Sequence, residues 1–258
     1  MPSERTRTLG NGQHTVICLH GWFGSGGDWG PWEQFLDREN FTWVFPDYRG
    51  YGERIHEDGK FDLDEVSADL VSVLEEFESS SSVSVLGHSM GGVFAQHLLT
   101  KIGDRISAFI GLSPVPSSGS PLPPEQRQLF ESAEFEIGAR KTIIDITTGQ
   151  KLSGRWLDAM AEANRMTSTD RAIGRYFRTW ADCNFLDELG EQSIPALVIV
   201  GENDPAVTLD MVQASYGHTF VDIMVVEYAG AGHYSMFEAP LRLASDIEEF
   251  LRGVLEMD

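Results

Sequence analysis

The sequence predicts an α/β fold: a doubly wound, mostly parallel sheet with a helical lid inserted late in the chain. Three observations predict it. Short, almost wholly apolar runs recur along the chain, as strands buried on both faces do. Helix-patterned segments alternate with these runs, and right-handed crossovers wind such an alternation into a sheet covered on both sides. The alternation then stops between Ser113 and Ile194, where helical patterns follow one another without a convincing strand.

Taken in order, an apolar run at residues 15–19 opens the core. Only about fifteen residues precede it, so the expected N-terminal hairpin is short, reduced to residues 5–9 and the Gly10-Asn11-Gly12 turn. Runs at 43–45, 83–86, 108–112, 196–200 and 223–226 supply the remaining strands. Val66, Leu70, Val73, Leu74 and Phe77 share one helical face, and a helix pattern at 92–101 follows the run at 83–86. Leu243, Ile247, Phe250, Leu251 and Val254 repeat that spacing near the C-terminus. A Ser/Pro/Gly-rich linker at 117–124 begins the interruption, and helical patterns rich in Phe, Trp, Met and Arg fill 125–189. Residues 1–113 and 194–258 are thus expected to form the core, and 114–193 the lid.

Composition bounds the function. Of 258 residues, 41% are hydrophobic and 23% charged, the balance of a globular chain. A net charge of −21 repels nucleic acid and anionic membranes at long range. No apolar run approaches the roughly 18 residues of a membrane span. The polar start carries no signal-peptide core. Cys18, inside a strand, and the distant Cys183 do not make a disulfide scaffold, so a reducing, cytoplasmic setting is expected. The sequon Asn40-Phe41-Thr42 has no role in that setting. The seven histidines show no metal-ligand spacing, and no Cys-x-x-Cys is present. No metal or cofactor is expected.

Gly87-His88-Ser89-Met90-Gly91-Gly92 carries the chemistry. It follows an apolar strand and opens a helix, with a serine at the apex. Such a turn strains its central residue and lifts that side chain clear of the sheet. The residues two before and two after must be nearly free of side chain, because strand and helix approach each other there. Gly87 and Gly91 meet that need, which makes Ser89 a candidate nucleophile. A serine hydroxyl needs a base to take its proton. His233, in the Gly-rich loop Gly230-Ala231-Gly232-His233 after the last strand, is that base. The imidazolium needs an orienting anion, and Gly201-Glu202-Asn203-Asp204-Pro205, after the run at 196–200, offers two.

With His20-Gly21-Trp22 closing the first core strand and Asp47-Tyr48-Arg49-Gly50-Tyr51-Gly52 closing the next, the chain resembles the α/β-hydrolase superfamily. The likeness is to serine esterases and lactonases, with some similarity to cofactor-independent haloperoxidases. It covers nearly everything except the lid, in the order Ser, Asp, His. The resemblance implies Asp204 as the acid. Some members carry it after the preceding strand, but that position reads Gly111-Leu112-Ser113-Pro114, without a carboxylate. It also implies an oxyanion hole made of the backbone N–H groups of Met90 and Trp22. Dehalogenases and epoxide hydrolases of this superfamily use an aspartate where Ser89 stands. Meta-cleavage hydrolases usually have a small or hydroxyl residue in place of Trp22.

Other residues carry plainer readings. His88 is structural, His20 braces the oxyanion loop, and Asp47 and Arg49 hold their own loop. His14, His56, His97 and His218 are surface or core histidines. Trp22 and Phe23 are candidate pocket walls beside the oxyanion hole, while Trp29 and Trp32 are core candidates. Trp156, Met160, Phe177 and Trp180 face either the pocket or the lid's own core. Residues 138–180 hold eight Lys/Arg against four acids. Arg171, Arg175 and Arg178 lie on one helical face, either solvated and ion-paired or presented to a substrate carboxylate or phosphate.

The reading is a serine hydrolase cleaving a small-to-medium carboxylic ester or lactone, on a small molecule with an apolar or aromatic part. Carbon–carbon, amide or thioester hydrolysis, or perhydrolysis, uses the same three side chains. A hydrolase-like receptor that turns over slowly is the remaining alternative.

Overall fold

The computed structural model describes residues 6–77 and 83–257. Strands β1 (Thr6–Leu9), β2 (His14–Leu19), β3 (Phe41–Pro46), β4 (Val83–His88), β5 (Ile106–Leu112), β6 (Ala196–Gly201) and β7 (Ile223–Tyr228) form one sheet in the order β1-β3-β2-β4-β5-β6-β7. Every neighbouring pair is parallel except β1 with β3. The strands expected from apolar runs are therefore present, each extended by one to three residues.

Two expectations need correction. β1 does not form a hairpin with β2: it pairs with β3, Thr6 opposite Pro46. The Gly10-Asn11-Gly12 turn instead carries the chain across, with Asn11 N–H donating to Arg38 O and Gly12 N–H to Phe41 O. Arg5, placed in that hairpin, lies outside the described residues. β7 is also not buried on both faces. It is the last strand of the sheet, and Met224 is 56% exposed, whereas β2, β3, β4 and β6 are buried throughout.

Helix α1 (Leu63–Glu75) starts where the Asp62 carboxylate accepts the Glu65 N–H, and it buries Val66, Leu70 and Leu74. It packs on α2 (Met90–Ile102). Between β5 and β6 lie α3 (Pro124–Ser132), α4 (Ile137–Thr147), α5 (Gly154–Thr167), α6 (Asp170–Ala181) and the short α7 (Leu186–Leu189). After β6 come α8 (Leu209–Ser215), α9 (Ser235–Glu238) and α10 (Pro240–Met257). Leu243, Ile247, Leu251 and Val254 of α10 are buried, and Phe250 packs against the core from a partly exposed position.

The inserted helices are tied together by Arg140, a guanidinium only 2% exposed. It donates to Ala133 O, Glu134 O, Asn164 Oδ1, Ser168 Oγ and Asp170 Oδ1. One side chain so joins the α3–α4 turn to the α5–α6 turn. Tyr176 of α6 packs against Tyr48, Tyr51, Phe61 and Phe94 of the core.

Candidate active site

Ser89 sits between β4 and α2 with φ +52° and ψ −116°, in the left-handed region that a serine rarely occupies. The strain is held by neighbours. Ser89 N–H donates to Leu112 O, and Ser89 O accepts from Gly92 N–H and Val115 N–H. A Cβ on Gly87 would overlap the Gly91 carbonyl, and one on Gly91 would overlap the Leu19 carbonyl. Glycine at both positions is therefore a steric requirement of the turn. Met90 begins α2, where the helix itself offers its N–H no acceptor.

His233 lies in the loop between β7 and α9. Its Nδ1 is 2.6 Å from Asp204 Oδ2, and both residues are buried. Asp204 is set in turn by the loop after β6, because its Oδ1 accepts from Ala206 N–H and Val207 N–H. The alternative acid, Glu202, points elsewhere and accepts from Gly230 N–H. Ser89 and His233 line one cavity of about 250 Å³. They are not hydrogen-bonded to each other, and neither Ser89 Oγ nor His233 Nε2 has a partner among the described residues. Both atoms are thus open to the cavity, and unliganded sites commonly keep such pairs looser than in the reacting complex.

Trp22 follows β2, and its loop is clamped by two tyrosines. Tyr48 OH donates to His20 O at 3.2 Å and Tyr51 OH to Trp22 O at 2.8 Å. The Trp22 indole N–H reaches the inserted helix α6 at Ile173 O. His20 bonds Gly21 O through Nδ1 and packs at a tilt against Tyr48, as a bracing residue does. Asp47 accepts from Gly26 N–H and Glu53 N–H, and Arg49 pairs with Asp69, each holding its loop. His88 donates from Nε2 to His233 O, and burial holds its imidazole well below the ordinary histidine range. His14 and His97 are buried against the hydroxyls of Ser84 and Ser67.

The cavity wall divides the pocket candidates. Trp22, Phe23 and Trp180 line it. Trp156, Met160 and Phe177 do not, which corrects their expected place. Phe177 stands behind the wall, stacked on Trp22 at 5.5 Å. Trp156 packs edge-on against Tyr234 and Phe237. Met160 borders a separate void of about 20 Å³ near His20 and Trp29. Helical pattern identifies a face, but it does not say whether that face meets the pocket or a neighbouring helix. The rest of the wall was missed by sequence reasoning. Gln126, Leu129 and Phe130 line it from α3, Ile143, Ile146 and Thr147 from α4, and Val207 and Met211 beside Asp204. The i, i+3, i+4 spacing of the α3 and α4 residues is the one signal that marked them.

No Asp, Glu, Lys or Arg lines this cavity among the described residues. Arg171 pairs with Asp58, Arg178 with Glu134, and Arg175 is exposed. The basic face of α6 is thus a solvated, ion-paired face.

With that geometry in view, the family model described as the alpha/beta hydrolase fold matches residues 14–240. The chain belongs to the α/β-hydrolase family. A non-heme chloroperoxidase of Kitasatospora aureofaciens is 24% identical over 262 residues, covering 93% of this chain and 90% of that protein. A bifunctional esterase/perhydrolase of Acinetobacter calcoaceticus is 23% identical over 258 residues, covering 92% and 91%. Among solved structures, an esterase from Exiguobacterium antarcticum superposes with a TM-score of 0.84 at 17% identity, covering 96% of this chain and 94% of that one. No helix among the described residues of this hydrolase is long and apolar enough to cross a membrane.

Proposed function

We propose that this hydrolase cleaves neutral carboxylic esters or lactones through an acyl-enzyme on Ser89. The observation that carries the reading is Ser89's strained backbone at the head of α2, in one cavity with the His233 imidazole that Asp204 holds at 2.6 Å. In this reading Ser89 Oγ attacks the carbonyl carbon while His233 Nε2 takes its proton. The oxyanion meets the N–H groups of Met90 and Trp22. His233 then returns the proton to the leaving alkoxide. Water attacks the acyl-enzyme, again with His233 as base, and frees the acid. Asp204 keeps the proton of His233 on Nδ1, so that Nε2 is the nitrogen available to the serine.

The wall supports the substrate class. It is mostly apolar, with no Asp, Glu, Lys or Arg among its described lining residues, and its 250 Å³ lies just below the ~300–1,000 Å³ usual for small-molecule sites. A compact apolar acyl or aryl group suits it better than a carboxylated one. Residues 114–193 act as the lid in this reading, and the two free cysteines suit a reducing compartment.

The named chloroperoxidase and esterase/perhydrolase relatives favour a second reading of the same site. Hydrogen peroxide in place of water would attack the acyl-enzyme and release a peracid with Ser89 regenerated. The test of the main reading is Ser89→Ala. It should abolish turnover of an activated aryl ester and labelling by a fluorophosphonate probe. Full activity after that change would end the proposal, and product analysis with peroxide present decides between the two acceptors.

A further inference from the structure

We propose that Glu238 is a positioning residue for His233, holding the histidine loop and setting a second negative charge beside the imidazole. The inference rests on the hydrolase reading above and adds a residue to it. Glu238 Oε2 accepts the Gly232 N–H at 2.8 Å and Oε1 accepts the Tyr234 N–H at 3.0 Å. These are the residues on either side of His233, so one carboxylate spans the histidine. His233's own backbone is held as well. Its N–H donates to Thr147 O at 3.1 Å, and its carbonyl accepts His88 Nε2 at 2.9 Å.

Capping of the short helix α9 would explain only the bond to Tyr234, which precedes that helix. Gly232 lies outside the helix on the far side of His233, and a cap has no need of it. The bond to Gly232 is what turns a helix cap into a bracket around the imidazole. The titratable groups facing His233 are Asp204, His88, Tyr234 and Glu238. Burial holds His88 neutral, and burial raises Tyr234 far above neutral pH. Asp204 and Glu238 are therefore the carboxyl groups that face His233 among the described residues. Burial also raises the Glu238 carboxyl above its ordinary value, while the two N–H groups and His233 act against that rise. A carboxylate hydrogen-bonded to the amides on both sides of a group that becomes cationic in each half-reaction favours the charged form.

The experiment compares Glu238→Gln with the parent and with Ser89→Ala on one activated aryl ester. Glu238→Gln keeps one acceptor oxygen and removes the charge. It should lower kcat by about tenfold with KM within about twofold. The acid limb of kcat/KM should move to lower pH, because a lost anion disfavours the imidazolium. Glu238→Asp keeps the charge on a shorter arm, and should restore most of the limb while leaving kcat low. A purely structural Glu238 would lower melting temperature and leave the limb in place. That result, or Glu238→Gln with kcat and acid limb both at the parental values, overturns the proposal. Should the variants fail to fold, amide exchange in the unaltered chain decides: slow exchange at Gly232 and Tyr234 is expected, and exchange at free-peptide rates overturns the bracket. Retained turnover in Ser89→Ala would instead remove the hydrolase reading itself. An inactive Ser89→Ala beside an unchanged Glu238→Gln removes only the role of Glu238.

Discussion

The floor and the roof of the cavity are held by different means. The floor, at the ends of β2, β4 and β5, is fixed by backbone sterics. Ser89 is wedged between carbonyls and amides of Leu112, Gly92 and Val115, and the glycines beside it leave no space for a methyl group. The roof, made by α3 to α6, is fixed by side chains: the Arg140 network and the rings of Trp22, Phe130, Phe177 and Trp180. A floor of this kind admits almost no substitution. A roof built from side chains can change its lining while the helices stay in place. In the proposed function, chemistry and specificity are thereby separated in the chain.

Alanine at two glycines breaks or sharpens that contrast most sharply. Gly91→Ala on the floor forces the elbow helix away from β2, whose carbonyl groups cannot move without opening the sheet. The expected cost is about 3 kcal/mol or more of stability, with turnover of an aryl ester lost by about a hundredfold or more. Gly138→Ala on the roof adds a methyl group to open space in α4. That change should leave activity intact and raise stability by about 0.5 kcal/mol. Thermal melts and initial rates on both variants check the pair. Equal tolerance at the two positions would remove the distinction.

Arg140→Met tests the roof alone. It removes the donors for Ala133 O, Glu134 O and Asn164 Oδ1, all within the insertion. Buried acceptors left without partners cost about 1–3 kcal/mol each when water cannot reach them. A loss of about 3 kcal/mol is expected, and it should be local. Limited proteolysis should cut within 114–193 before it cuts the sheet. Simultaneous loss of both regions would mean that floor and roof fold as one unit.

The same division explains what was legible in the sequence. Floor residues are specified by local rules. A strand must be apolar, a tight turn needs glycine, and the candidate residues follow strand ends, so Ser89, Asp204 and His233 could be proposed from position. The pairing of β1 with β3 was not legible, because one short strand carries no partner information and pairing is decided across the sheet. The exposure of β7 followed from its place at the edge, which an apolar run does not announce. On the roof, periodicity showed that Phe177 and Trp180 are turned inward. It could not show that Trp180 reaches the cavity while Phe177 backs onto Trp22. That choice depends on how α6 is rotated against α3, a property of packing rather than of either helix. Glu238 was missed for a related reason: its value lies in which two amides it reaches, and both become neighbours only when the loop around His233 closes.

The adjacent aromatic pair gives the finest test of the roof. Trp180→Ala should enlarge the cavity, because the indole is part of its wall. The preference among straight-chain aryl esters should shift toward longer acyl groups. The ratio of kcat/KM for long over short chains should rise by about tenfold, the scale on which one or two methylenes are told apart in an apolar site. Phe177→Ala removes a ring of the same cluster that is 1% exposed and outside the wall. It should cost about 3 kcal/mol of stability while leaving the chain-length profile as it was. Had the roof been a soft cluster that refills any gap, both variants would alter the profile alike. Had it been as rigid as the floor, Trp180→Ala would abolish turnover of short and long esters together. The expected split, specificity from one ring and stability from the other, follows only if the helices hold their positions while the lining changes.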